Sequence, residues 1–130
     1  MINKSKIWIV SDVDGTLMDH FYDLTPAKET IIWLKRLGIP VILCTSKTKS
    51  EVKIIRDDLN LKDPYIVENG GAIYGEDSDG KEWKIILGKS YKVLEKILNN
   101  LSEKINFNLR PLNTLSDDEA TNLTGLKGES

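Results

Sequence analysis

The chain begins its patterned part with an unbroken apolar run, Ile7-Trp8-Ile9-Val10. A continuous β-branched run of this kind predicts a strand buried on both faces, as in a parallel sheet. Polar and apolar residues then recur at helical spacing from Ala27 to Leu37, with Ile31, Leu34 and Leu37 on one face. Thr25 suits the cap of that helix, Pro26 its first turn and Gly38 its stop. Ile39 to Cys44, IPVILC, predicts a second buried strand. A second helix is expected from Lys49 to Leu59, with Val52, Ile55 and Leu59 facing inward. Pro64 to Val67 predicts a third strand, Gly70-Gly71 a turn, and Ala72 to Tyr74 a fourth strand. Residues 6–74 thus alternate strand, helix, strand, helix, strand. That order predicts parallel strands joined by right-handed crossovers, a doubly wound α/β sheet.

The pattern changes near residue 80. Glu76 to Gly80 is a polar turn, and Trp83 to Leu87 predicts an edge strand. Ser90 to Ile105 predicts an amphipathic helix with Val93, Leu94, Ile97, Leu98 and Leu101 as its apolar stripe. Ser116-Asp117-Asp118-Glu119 has the form of a capping box opening a short helix that ends near Gly125. Residues 1–80 therefore read as one domain and 81–130 as the start of another.

With 130 residues, 40% of them hydrophobic and 29% charged, the chain is expected to fold around a real core. Its net charge of −2 shows no basic excess, so nucleic acid is not the expected partner. No apolar run approaches the ~20 residues that a membrane span needs. The lone cysteine, Cys44, has no internal disulfide partner, which fits a reducing cytoplasm. It reads as a small core residue, Trp33 and Trp83 as packing residues, and His20 as a solvated loop residue.

Chemistry concentrates at the end of the first strand. Asp12 and Asp14 stand one residue apart where the strand stops, followed by Gly15 and Thr16. Unpaired carboxylates are costly in a dry interior. In a doubly wound sheet, however, the carboxyl ends of the strands form a common rim where ligands bind. Thr45 and Ser46 follow the second strand, and Glu68 and Asn69 follow the third, on the same rim. Paired carboxylates there suit magnesium (Mg2+), which takes oxygen ligands and clamps phosphate oxygens. An aspartate can attack phosphorus, and a second carboxyl can protonate the leaving oxygen and later take a proton from water. The loop Val13–Gly15 and the Thr45 hydroxyl could hold phosphoryl oxygens as a small nest. An EF-hand calcium loop is disfavoured, because position twelve from Asp12 falls on Asp23 and a strand precedes the loop. Lys47 sits at a helix start, where positive charge is unfavourable, and is thereby suspected of meeting an anion.

Asp12-Val13-Asp14-Gly15-Thr16 resembles the first motif of the haloacid-dehalogenase-like phosphatases. Val41-Ile42-Leu43-Cys44-Thr45 resembles their second. More narrowly, SDVDGTLMDH, LGIPVILCTSKTKSEV and PYIVENGGAIY are similar to the mannosyl-3-phosphoglycerate phosphatase branch, and Leu123-Thr124-Gly125-Leu126 to a segment of its cap. The resemblance implies a Rossmann-like core with an α+β cap beginning in residues 81–130. It implies Asp12 as nucleophile and Mg2+ ligand, and Asp14 as general acid/base and Mg2+ ligand through its carbonyl. Thr45, with Ser46 and Gly15, would bind phosphate, and Lys47, Glu68, Asn69 and Gly70 would face the substrate. The implied activity is hydrolysis of a phosphorylated sugar acid, most narrowly mannosyl-3-phosphoglycerate.

The family's later lysine and its acidic Gly-Asp-x-x-x-Asp cluster have no counterpart after Gly71. Lys127 lacks the context, and Asp117-Asp118-Glu119 reads as a helix start. The chain is therefore expected to be the first half of a longer protein, to hold Mg2+ weakly and to self-associate through open sheet edges. Two alternatives remain open on the sequence: another sugar-phosphate phosphatase, or a fragment or binding module without turnover.

Overall fold

The computed structural model describes residues 7–124. Gly125, Leu126 and Lys127 lie outside the described residues. Unit one, ending at Gly88, and unit two, starting at Lys89, are separately compact.

In unit one, β1 (Ile9–Ser11) pairs in parallel with β2 (Val41–Leu43), Ile9 opposite Val41. A parallel bridge from Cys44 to Ile66 carries β2 on to β3 (Tyr65–Val67). The crossovers are α1 (Thr25–Arg36) and α2 (Lys49–Asp58), as the alternation predicts. β3 then turns back. β4 (Ala72–Glu76) and β5 (Glu82–Ile86) extend it as an antiparallel ribbon, so the doubly wound part is parallel and its far side is not. The pattern changes at residue 80, whereas the division follows Gly88, because β5 hydrogen-bonds along all of β4.

Among the described residues, the buried core lies in unit one. Val13, Ile31, Val41, Leu43, Val52 and Val67 are its fully buried side chains. Ile31 and Leu34 from α1, and Val52, Ile55 and the capping Leu59 of α2, are buried at the expected positions. β1 departs from expectation. Trp8 and Val10 are 67% and 57% exposed, so this strand is covered on one face only. Among the described residues β2 is its sole strand partner, and nothing supplies a second layer over Val10. Trp33, expected to pack, is also exposed, on the outer side of α1. Cys44, expected inside a strand, is partly buried just beyond the end of β2.

The ends of the helices follow local chemistry. Thr25 is the first residue of α1, not its cap. Buried Leu24 holds the cap position, and the Asp23 carboxylate accepts the Thr25 N–H at 2.8 Å. Hydrophobic anchoring of Leu24 thus overrides the capping preference of Thr25. α2 has a full capping box: Glu51 N–H donates to Thr48 Oγ1, and Thr48 N–H donates to Glu51 Oε2 at 2.8 Å. The ribbon is tied by packing across its face. Tyr65 and Tyr74 rings stack 5.6 Å apart, Arg56 lies over Tyr65, and Lys49 lies over Tyr74 while pairing with Glu82 at 2.6 Å. Trp83 lies across Gly75, where any Cβ would sit 2.2 Å from the indole. Only glycine leaves room there.

Unit two consists of α3 (Tyr91–Ile105), a 3-10 turn (Leu112–Thr114) and α4 (Asp117–Thr124). Asn106 ends α3 in the left-handed conformation. Ser116 and Glu119 make the expected capping box: Ser116 N–H donates to Glu119 Oε2 at 3.0 Å. The apolar stripe of α3 is half exposed and none of its residues is buried.

Candidate active site

Two strand ends and one turn build the site. β1 ends at Ser11, and Asp12 follows it with an exposed side chain. Val13, buried, anchors the next loop: its carbonyl accepts the N–H groups of Thr16, Leu17 and Met18. That wrapped turn requires Gly15 at φ +69°, a conformation costly for other residues. β2 delivers Thr45, which is 3% exposed. Its N–H donates to the Ile66 carbonyl and its carbonyl accepts the Asn69 N–H, so the residue is clamped from both sides. Its Oγ1 accepts the Lys47 N–H at 3.2 Å, which leaves the hydroxyl proton to donate.

After β3 come three successive left-handed residues, Glu68 at φ 53°, Asn69 at 55° and Gly70 at 88°. Glu and Asn in this region store strain that the surroundings must hold. The holding bonds are visible: Glu68 N–H donates to the Lys47 carbonyl at 3.0 Å and Asn69 N–H to the Thr45 carbonyl at 3.2 Å. The turn is thus pinned to the loop that carries Thr45.

Asp12, Thr45, Ser46 and Asn69 line one open pocket of about 290 Å³, together with Cys44. Gly15 belongs to a neighbouring hollow lined also by His20, which is exposed as expected. Glu68 and Gly70 shape the turn behind the pocket. Asp14 and Lys47 meet: Nζ lies 3.0 Å from Asp14 Oδ1. Lys47 is mostly covered, sits 5.9 Å from the Tyr22 ring centre and 3.8 Å from Glu51. Burial works against its charge, but Asp14 and Glu51 more than offset that, and its pKa is raised. An internal anion, the Asp14 carboxylate, thus stands beside Lys47. The Glu51 carboxyl is held below its ordinary value, chiefly by the Thr48 hydroxyl.

Tyr22 and Glu51 were not foreseen at the site. Glu51 carries a signal, since Thr48-x-x-Glu51 is a capping box four residues from Lys47. Tyr22 carries none, because only the folding of its loop brings it near. Among the described residues no group of three or more His, Cys, Asp or Glu side chains could hold a metal.

A family model of the haloacid dehalogenase-like hydrolases matches residues 9–125, nearly all of the described chain. The chain belongs to the haloacid dehalogenase-like hydrolases. As a member, it is 33% identical over 132 residues to a glucosyl-3-phosphoglycerate/mannosyl-3-phosphoglycerate phosphatase of Persephonella marina. That match covers 91% of this chain and 47% of the relative, so the haloacid dehalogenase-like chain spans about half its length. Among solved structures, a Thermoplasma acidophilum protein is 28% identical with a TM-score of 0.59, covering 75% of this chain and 41% of its own. A haloacid dehalogenase-like hydrolase from B. subtilis is 26% identical with a TM-score of 0.56, covering 75% and 33%.

Proposed function

We propose that this protein serves phosphomonoester hydrolysis on a phosphorylated sugar acid, with Asp12 as the nucleophile that forms an aspartyl-phosphate. The observation that carries the proposal is the pocket joining the open Asp12 carboxylate to the buried Thr45 hydroxyl. Asp12 attacks phosphorus. The Thr45 hydroxyl and Ser46 hold the phosphoryl oxygens, and Asp14 protonates the leaving oxygen, then takes a proton from the attacking water. Asn69, and the turn made by Glu68 and Gly70, face the rest of the substrate. Residues 81–130 are assigned to the beginning of a cap domain. The Persephonella relative's name supports a glycosyl-3-phosphoglycerate as substrate. A reducing cytoplasm fits the single cysteine.

The donor set fits a divalent cation of the magnesium kind. Asp12 offers an exposed carboxylate and Asp14 a backbone carbonyl, hard oxygens that suit a cation keeping most of its own waters. Bound there, Mg2+ would supply charge neutralisation at the acid pair and polarise the phosphoryl group. With so few protein donors the affinity is weak.

Asp12→Asn is expected to abolish phosphate release while leaving the circular dichroism spectrum unchanged. Substantial residual turnover would overturn the proposal. A panel of phosphorylated sugars tests the substrate: mannosyl-3-phosphoglycerate and its glucosyl counterpart should rank first, and a poor rank moves the reading to another sugar phosphate. The absence of a three-donor cluster among the described residues favours a second reading, a binding module without turnover. Calorimetric titration with Mg2+ and a phosphate-release assay on these 130 residues separate the two. Mg2+-dependent phosphate release, even with weak binding, counts against the module.

A further inference from the structure

The geometry points to Lys47 as a positioning residue that fixes the carboxylate of Asp14 in one orientation, an inference that rests on Asp14 being the acid/base. Asp14 lies on the loop after β1 with its side chain 44% exposed. An exposed aspartate ordinarily samples several staggered χ1 states. The partner the structure gives its carboxylate is Lys47, at 3.0 Å.

Lys47 is the fixed member of this pair. Its N–H donates to Thr45 Oγ1 and its carbonyl accepts the Glu68 N–H, so its backbone is bonded on both sides. Its side chain is only 15% exposed, with Glu51 at 3.8 Å and the Tyr22 ring at 5.9 Å. Exposed ion pairs gain little because two long side chains lose freedom to form them. Here the lysine has already lost that freedom to its surroundings. The pair therefore orders the aspartate at small cost, and its effect is on orientation more than on stability. The same loop carries Thr45, so one short segment, Thr45 to Lys47, sets the phosphate-facing hydroxyl and the proton-handling carboxyl together. Asp14 and Lys47 both stand outside the residues that line the Asp12 pocket, and Lys47 acts through Asp14 at its edge.

The test is the χ1 state of Asp14, read from three-bond couplings to its Cγ by NMR in the 130-residue chain. The wild-type protein should show one rotamer, Lys47→Met an average of several, and Lys47→Arg a return to one. Backbone amide spectra verify folding, and Lys47→Gln with Lys47→Arg carries the comparison where Lys47→Met unfolds. With Mg2+ and p-nitrophenyl phosphate, Lys47→Met should lower kcat about 10- to 100-fold with KM changed less than about threefold, and Lys47→Arg should recover most of it. A single Asp14 rotamer retained in Lys47→Met overturns the inference. So does a raised KM at unchanged kcat, which would make Lys47 a substrate contact. Should Asp12→Asn remain active while the Asp14 rotamer behaves as expected, the assigned chemistry fails and the positioning stands.

Discussion

Glu119 takes the Ser116 N–H at 3.0 Å and the Arg110 guanidinium at 2.9 Å. Those bonds, the backbone one foremost, lower its pKa from 4.5 to about 2. Its folded pKa lies below its unfolded value, so its contribution is complete above about pH 4.5 and is lost as pH falls toward about 2. The Ser116 amide, which donates to Glu119, should shift over that window, and Glu119→Gln should shrink that movement. The same capping box was legible from four letters of sequence, because its bonds span three residues. Asp12 and Thr45 were legible too, since strand ends in an alternating pattern share a rim. Tyr22 was not, nor was the meeting of Asp14 with Lys47. Those contacts join loops far apart in the chain, and no local spacing encodes them.

At the level of elements, α2 depends on its start. Thr48→Ala removes one half of a reciprocal cap and should cost about 1 kcal/mol in urea unfolding. The β4–β5 ribbon depends on a missing side chain. Gly75→Ala places a methyl group where the Trp83 ring lies, so the indole must leave, at a cost of about 1–3 kcal/mol and with a loss of near-ultraviolet dichroism. Both crossover helices were readable from apolar spacing, the first also from its stop at Gly38. The antiparallel return of β4 was not, because a short apolar run carries no direction. The full burial expected of β1 also failed. Composition says that a strand wants cover, and it does not say whether the described residues supply it.

Across the whole molecule, stability is unevenly placed. Among the described residues unit one holds the buried core, while the stripe of α3 in unit two is only half covered. A helix that leaves about half of its apolar stripe open gains less from packing than one that buries it. Amide exchange should therefore run faster throughout α3 than in α2, and slower exchange in α3 would refute this account. The uncovered face of β1, with Val10 and Trp8 open, predicts concentration-dependent association. Sedimentation velocity should show it, and Val10→Lys should reduce it. Finally, the indole that lies across Gly75 furnishes an intrinsic fluorescent gauge. Of the three tryptophans it is the most shielded, 36% exposed against 57% for Trp33 and 67% for Trp8. Acrylamide should quench the other two first, leaving a bluer residual emission that reports on the ribbon behind the pocket alone.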